Sequence, residues 1–379
     1  MIKAIGKLNF SIENLSDSDD TKLLAKALHD IKAGKSEIDI GDAGTDMRFL
    51  LSYLSCLDDK NFILTGSQRM KERPIKELVD SLKSAGAQIT YLEKNGYPPV
   101  KIEGKKISPD TITIKANVSS QFISSILLVA PLFENGCNIK LIGEIVSAPY
   151  IHTTMHLMRE FGIEVTFTNN TIRVREGKYK PKTNTIFNEG DWSAASYFYS
   201  GLLASDLTEI ELEGLLKESV QGDSKVKELF EVFGIKTTFS TNKAILTKKE
   251  SHFQNFSADF SACPDLAQTL AVACSIKQVT ADLTGLQTLN IKETNRIEAL
   301  VSELSKIGAS VHSTQNSLHL RGYINLQNEK EVSINTYNDH RMAMSFAPLK
   351  FIYPKLFIAN KEVVSKSFPK FWEEFSKLQ

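Results

Sequence analysis

Apolar residues recur along this chain at helical spacing and then switch to strict alternation, with a glycine at each switch. The pattern occurs in LVDSLKSAGAQITYL, LMREFGIEVTFTNNTIRV, VKELFEVFGIKTTFSTNKAIL and LVSELSKIGASVHSTQNSLHL. In each copy the helix-period stretch predicts a helix, and the β-branched, alternating stretch after it predicts a strand. Gly86, Gly162, Gly234 and Gly308 mark the switches, 76, 72 and 74 residues apart. A weaker fifth copy, LLAKALHDIKAGKSEIDI, ends its helix at Gly34. Such glycines suit the position just past a helix, where a positive φ is needed and a Cβ is unwelcome. In three copies a short polar turn (TNN, TNK or TQN) leads to a second strand, so the helix feeds a hairpin.

These intervals exceed the repeat length of solenoids. They predict an α/β fold in which a larger unit of helix and antiparallel strand is used several times. The polar stretch GKYKPKTNTIFNEGD, residues 177–191, lies midway along the repeats and marks the expected boundary between two domains, 1–187 and 188–379.

Charge narrows the function. The 45 basic and 45 acidic residues cancel, so no overall field draws in nucleic acid or an anionic membrane. Anion binding must come from local clusters. The longest apolar run, FISSILLVAPLF, is too short to span a bilayer. Cys56, Cys137, Cys263 and Cys274 have neither CxxC pairing nor metal spacing and read as reduced thiols of a cytoplasmic protein. His152 and His156 stand one turn apart without an intervening acid or a nearby third ligand, so no metal is expected. No P-loop, GxGxxG or GxSxG occurs, which leaves nucleotide cofactors and acyl hydrolysis without support.

Local clusters do exist. In TGSQRMKERPIKELVDSL, Ile75, Leu78, Val79 and Leu82 form one apolar helical face, with Pro74 placed for the first turn. Before it, Arg69, Lys71 and Arg73 alternate, as if along an extended segment with all three charges on one side. Such a row suits an oxyanion; a solvated charged edge is the plainer reading. Ser119 and Ser120 precede an apolar helix, as an ordinary N-cap or as phosphate donors. Ala43-Gly44-Thr45 opens another helix, where backbone can approach a ligand closely. KETNRIEAL carries Lys292 and Arg296 one turn apart with Glu293 between them. YNDHRMAMSFAPL places His340 and Arg341 at a helix start, Asp265 sits behind Pro264 at another, and Lys366 lies in a polar turn before Pro369. Several helix starts in both halves thus carry Arg, Lys or Ser, the pattern of a site for a polyanionic small molecule.

The motifs GDAGTDMRFL, TGSQRMKERPI, NGYPPVKI, VSSQFISSILL, SAPYIHTTM, EGDWSAASYF, CPDLAQTLA, LNIKETNRIEAL, YNDHRMAMSFAPL and VSKSFPKFW resemble, in order, those of the 5-enolpyruvylshikimate-3-phosphate synthases. The resemblance implies two inside-out α/β prisms, each built from βαβαββ units, which would account for the repeat. It implies a monomeric enzyme without metal or cofactor that closes around shikimate 3-phosphate and phosphoenolpyruvate and transfers the enolpyruvyl group by addition and elimination. Carried over by motif, Ser119, Ser120, Gln121, Ser147, Tyr150, Asp265 and Lys292 hold shikimate 3-phosphate. Gly44, Thr45, Arg69, Arg296, Arg341 and Lys366 hold phosphoenolpyruvate. Asp265 is the base on the 5-hydroxyl, and Glu293 with Lys366 donates the proton to the methylene.

Some features depart from that family. A Lys-Ser-x-x-x-Arg helix start is absent from MIKAIGKLNF, and the first strand of the C-terminal prism is expected to be missing with it. Asp42 stands where the family has Asn, Asp46 replaces a small residue, and Asn295 replaces the Asp of KETDR. A homologue that binds anions without turnover is the alternative in keeping with these departures. The sister family, UDP-N-acetylglucosamine enolpyruvyl transferase, is disfavoured because Gly66-Ser67-Gln68-Arg69 lacks its reactive cysteine.

Overall fold

The computed structural model describes residues 1–323 and 331–379. The chain divides into two compact units, Met1–Phe187 and Asn188–Gln379.

In the first unit, two four-stranded sheets share one topology. Strands Glu37–Asp39, Lys60–Thr65, Val100–Gly104 and Gln88–Tyr91 lie side by side in that order. The first pair is parallel, and the other neighbours are antiparallel. Thr111–Lys115, Cys137–Ile142, Thr171–Val174 and Val165–Thr168 repeat this arrangement. Helices Gly44–Ser55 and Lys76–Ser84 connect the strands of the first sheet, and Ser120–Val129 and Ala148–Glu160 those of the second. Each set therefore reads βαβαββ. A short parallel pair, Ser11–Glu13 with Thr185–Phe187, accompanies helix Asp19–Lys32.

The second unit contains one complete copy, with strands Asn255–Asp259, Thr280–Thr284, Ser317–Tyr323 and Ala309–Ser313 in the same order. Its helices are Ala267–Ile276 and Arg296–Lys306. Glu209–Glu213, Lys243–Lys248 and Ile235–Ser240 form a three-stranded antiparallel sheet. Val332–Ile334 and Leu356–Ile358 form a parallel pair.

Helices, rather than sheets, occupy the centre of each unit. Ser120–Val129 is buried at every position except Gln121, and Ala267–Ile276 at every position except the last. A helix apolar on all sides has no wet face and must be enclosed. Two hydroxyls there meet hydroxyls of neighbouring helices: Ser52 Oγ lies 2.9 Å from Ser125 Oγ, and Ser196 Oγ 2.9 Å from Thr269 Oγ1. Both pairs are 73 residues apart, so equivalent positions on successive copies touch. The repeat read from the glycines is therefore a packing repeat as well.

The switch glycines all have positive φ, from 81° to 101°. Gly34, Gly86, Gly162 and Gly308 directly follow the helix C-cap, while Gly234 lies one residue further on. The hairpin turns follow the same chemistry, with left-handed Asn169 and Asn170 joining Val165–Thr168 to Thr171–Val174.

One local prediction fails. Residues 69–73 are not extended, because Met70–Glu72 forms a 3₁₀ turn. Ser67 starts it, its carbonyl accepting from the Lys71 amide at 3.0 Å and its Oγ from the Met70 amide at 3.2 Å. Fully buried Met70 anchors it in the core. The charges therefore diverge: Arg69 turns back to Glu72 at 2.9 Å, Lys71 reaches Glu93 at 2.7 Å, and Arg73 goes inside. Pro74 also precedes the helix rather than opening it, since Ile75 is the N-cap of Lys76–Ser84. The apolar face is as read, with Ile75, Leu78, Val79 and Leu82 fully buried.

Candidate active site

In the second unit three helix starts converge. Pro264–Leu266 is a short 3₁₀ turn leading into Ala267–Ile276 and presents Asp265. Arg296 begins helix Arg296–Lys306, and Asp339 caps helix His340–Phe346 through the Arg341 amide at 2.9 Å. Lys366 closes the turn Lys361–Lys366, which packs on His340–Phe346.

Arg296 is the hub. Its guanidinium is 2% exposed and meets three carboxylates: Nε to Asp339 Oδ2 at 2.7 Å, Nη1 to Asp265 Oδ1 at 2.9 Å, and Nη2 to Glu293 Oε2 at 2.9 Å. With a further contact from Nη2 to Asp339 Oδ1 at 3.2 Å, four of its five N–H groups are engaged. Arg341 holds the other oxygen of Asp265, Nη2 to Oδ2 at 3.0 Å, and its Nη1 donates to Tyr197 Oη at 3.2 Å. Lys292 Nζ stands 3.6 Å from Asp265 Oδ1.

The carboxylates respond in opposite directions. Burial opposes the charge of Asp265, but Arg341, Lys292 and Arg296 outweigh it and hold the carboxyl well below its usual range. Nearby Asp223 accepts from Ser193 Oγ. Burial, and then the charge of Asp265, push it up to about 6. Two acids driven apart in this way are a common arrangement where protons are moved. His340 is pushed down to about 4, chiefly by burial.

In the first unit the polar groups gather at the start of Gly44–Ser55. A Cβ on Gly44 would run into the guanidinium groups of Arg48 and Arg73, both buried, and Arg48 Nη1 donates to the Gly44 carbonyl. Thr45 Oγ1 accepts from Gln121 Nε2 at 3.0 Å, which ties this helix start to that of Ser120–Val129. Ser119 caps the latter through the Gln121 amide at 3.3 Å, and Ser120 lies buried in its first turn. Ser147 is the N-cap of Ala148–Glu160, with Tyr150 in the first turn of that helix. The Ser147 backbone is left-handed, φ 55° and ψ 37°, a strained choice for serine of the kind found at ligand sites. Arg69 is half-exposed and pairs with Glu72.

The departures noted in the sequence find places here. Asn295 caps helix Arg296–Lys306 through the Glu298 amide at 3.4 Å, a role Asn and Asp fill equally well. Asp42 is exposed and accepts from Ser67 Oγ, whereas Asp46 is buried in the first turn of Gly44–Ser55.

A family model for EPSP synthase (3-phosphoshikimate 1-carboxyvinyltransferase) matches residues 1–375. The chain belongs to the EPSP synthase family. Among curated relatives named 3-phosphoshikimate 1-carboxyvinyltransferase, one from Bacteroides fragilis is 42% identical over 378 residues, covering 100% of this chain and 91% of the relative. One from a Sulfurovum species is 34% identical over 397 residues, covering 98% and 91%. Among solved structures, an EPSP synthase from Acinetobacter baumannii superposes with a TM-score of 0.77 at 21% identity, over 100% of this chain and 92% of that one. The enolpyruvyl transferase NikO from Streptomyces tendae superposes with a TM-score of 0.72 at 13% identity, over 100% and 90%. At those identities the structural likenesses speak for the fold, and the α/β class expected from the sequence is the one they share. The EPSP synthase motifs also account for most of the site. Asp339 and Tyr197 were overlooked in the sequence, although an Asn-Asp ahead of a helical pattern is a cap signal.

Proposed function

We propose that this chain transfers the enolpyruvyl group of phosphoenolpyruvate to the 5-hydroxyl of shikimate 3-phosphate, releasing phosphate. The observation that carries the reading is the Asp265–Arg296–Glu293 constellation around the buried Arg296 guanidinium in a chain 42% identical to a named 3-phosphoshikimate 1-carboxyvinyltransferase. Addition joins the hydroxyl oxygen to C2 of the enolpyruvate while C3 gains a proton. Elimination then returns that proton and breaks the bond to phosphate.

Addition needs a base at the 5-hydroxyl and an acid at C3, and elimination needs a base at C3 as phosphate leaves C2. Asp265 takes the role of base on the 5-hydroxyl, and Glu293 with Lys366 protonates and later deprotonates the methyl carbon. Departing phosphate calls for clustered cations, which Arg69, Arg296, Arg341 and Lys366 supply, with Gly44 and Thr45 beside the enolpyruvate. Ser119, Ser120, Gln121, Ser147, Tyr150, Lys292 and Asp265 hold shikimate 3-phosphate. In this reading residues 1–187 chiefly serve shikimate 3-phosphate, and 188–379 carry the acid and base. Four free thiols suit a cytoplasmic enzyme, and we take it to act as a monomer.

The test is phosphate release from the purified chain, with shikimate 3-phosphate and phosphoenolpyruvate each omitted in turn. Release should require both. Release from phosphoenolpyruvate alone, or none from a folded chain, would overturn the reading.

A further inference from the structure

We infer that Glu303 is a positioning residue for this site: with Tyr337 and the Asn335 amide it braces the left-handed turn that sets Asp339 against Arg296 and Arg341. The inference rests on the transferase reading for its kinetic consequence, though not for its geometry.

Residues 336–339 form a tight turn in which the Asp339 amide donates to the Thr336 carbonyl at 2.8 Å. Its two central residues, Tyr337 and Asn338, have φ of 54° and 55°. Positive φ at both central positions is the mark of a type I′ turn, normally built from Asn-Gly or Gly-Gly. Asn tolerates that region; a bulky tyrosine does so rarely. Consecutive strained residues of this kind persist only where their surroundings hold them.

The holding group is on helix Arg296–Lys306. Glu303 is fully buried, and its carboxylate accepts from the Asn335 amide at 2.9 Å and from Tyr337 Oη at 2.6 Å. Lys306 Nζ supplies a counter-charge at 2.5 Å. Glu303 follows Arg296 by seven residues, two helical turns along the same face. One helix therefore grips the segment on both sides of the strained pair. Glu303 takes the residues entering the turn, and Arg296 takes Asp339 as the chain leaves it. Lys306, on the same helix, would suffice if charge neutralisation were the whole purpose. The two bonds to residues 335 and 337 are what tie Glu303 to the site. Were the turn to relax, Asp339 would lose its register on Arg296 and on the Arg341 amide, and both arginines would shift against Asp265.

Tyr337→Phe removes only the hydroxyl and keeps the ring. Its amide exchange should quicken about tenfold at Asp339, as expected for loss of a hydrogen bond to a charged group, while exchange within helix Ala267–Ile276 stays unchanged. In the phosphate-release assay kcat should fall about tenfold with little change in either KM. Asn338→Gly, which accepts positive φ without strain, should leave activity near wild type alone and recover much of the loss when added to Tyr337→Phe. Glu303→Gln should reproduce the Tyr337→Phe phenotype. Unchanged Asp339 exchange in Tyr337→Phe, or a kinetic loss that Asn338→Gly does not relieve, would overturn the brace. Inactive wild-type protein would overturn the transferase reading instead, and the exchange comparison would still decide the brace.

Discussion

Asp339 grips Arg296 edge-on, with Oδ2 2.7 Å from Nε and Oδ1 3.2 Å from Nη2, and neither side chain has meaningful solvent contact. A two-point grip fixes the guanidinium plane, and that plane directs Nη1 at Asp265 and Nη2 at Glu293. Asp339→Asn keeps the shape but replaces one acceptor with a donor facing Nε or Nη2. Asp265 and Glu293 still compensate the arginine charge, so the full penalty of a stranded buried ion does not apply. The expected loss is about 2 kcal/mol in urea unfolding. A midpoint matching wild type would mean that Asp265 and Glu293 hold Arg296 without help.

Asp265 links folding to acid. Its carboxyl is held below the usual range, so its stabilising contribution is fully present above the unfolded value near pH 4 and is lost as pH falls through the lower folded value. Asp265→Asn should therefore be clearly less stable than wild type at pH 7. That gap should narrow as pH falls from about 4 towards 2, where the carboxylate of the unfolded chain takes up a proton while the folded one stays ionised. Urea titrations at both ends of the window measure it. A gap that is constant with pH would show that packing, not charge, is what Asp265 contributes.

The fold was more legible than the site, for a physical reason. Helix-to-strand switches are local: Gly86, Gly162 and Gly308 announce themselves because positive φ after a C-cap is a property of a few neighbouring residues. The Ile75, Leu78, Val79 and Leu82 face was likewise visible as periodicity. The 3₁₀ turn at Met70–Glu72 was not, because alternating charge imitates a strand and the deciding fact is burial of Met70 by distant residues. The capping role of Asp339 is a local signal, but its grip on Arg296 is not, the two residues lying 43 apart in the chain. The motifs named Asp265, Glu293 and Arg341, but only the fold shows that one arginine ties Asp265 and Glu293 together.

His340 gives a second acid response, in a different window. Burial pushes its imidazole down to about 4, aided by Arg341 and Arg296 and opposed by Asp339 and Glu293. A histidine buried neutral contributes stability that is present above its unfolded pKa near 6.5 and lost as pH falls toward the folded value. Wild type should lose on the order of 3 kcal/mol from this group between pH 7 and pH 4. His340→Gln should lack that slope while keeping the acid response of Asp265 at lower pH. Parallel stability curves for the two proteins over this window would show that the imidazole titrates alike folded and unfolded, so that burial does not hold His340 neutral.

Gly44 tests whether the buried arginines of the first unit matter to ligand or to fold. An added Cβ would strike the terminal atoms of Arg48 and Arg73, not backbone, so both side chains can swing aside. Overpacking typically costs about 1–3 kcal/mol, and the far ends of flexible chains place this site at the low end. Alanine also returns up to about 1 kcal/mol of helix propensity in the first turn of Gly44–Ser55. The terms nearly cancel, so Gly44→Ala should melt within a few degrees of wild type. Its guanidinium groups, however, are displaced from the helix start where the enolpyruvate is proposed to lie. KM for phosphoenolpyruvate should rise by about tenfold, the effect of weakening one charged contact, while KM for shikimate 3-phosphate changes little. Equal rises in both constants would place Gly44 in general packing, and no rise in either would remove Arg48 and Arg73 from the neighbourhood of the substrate.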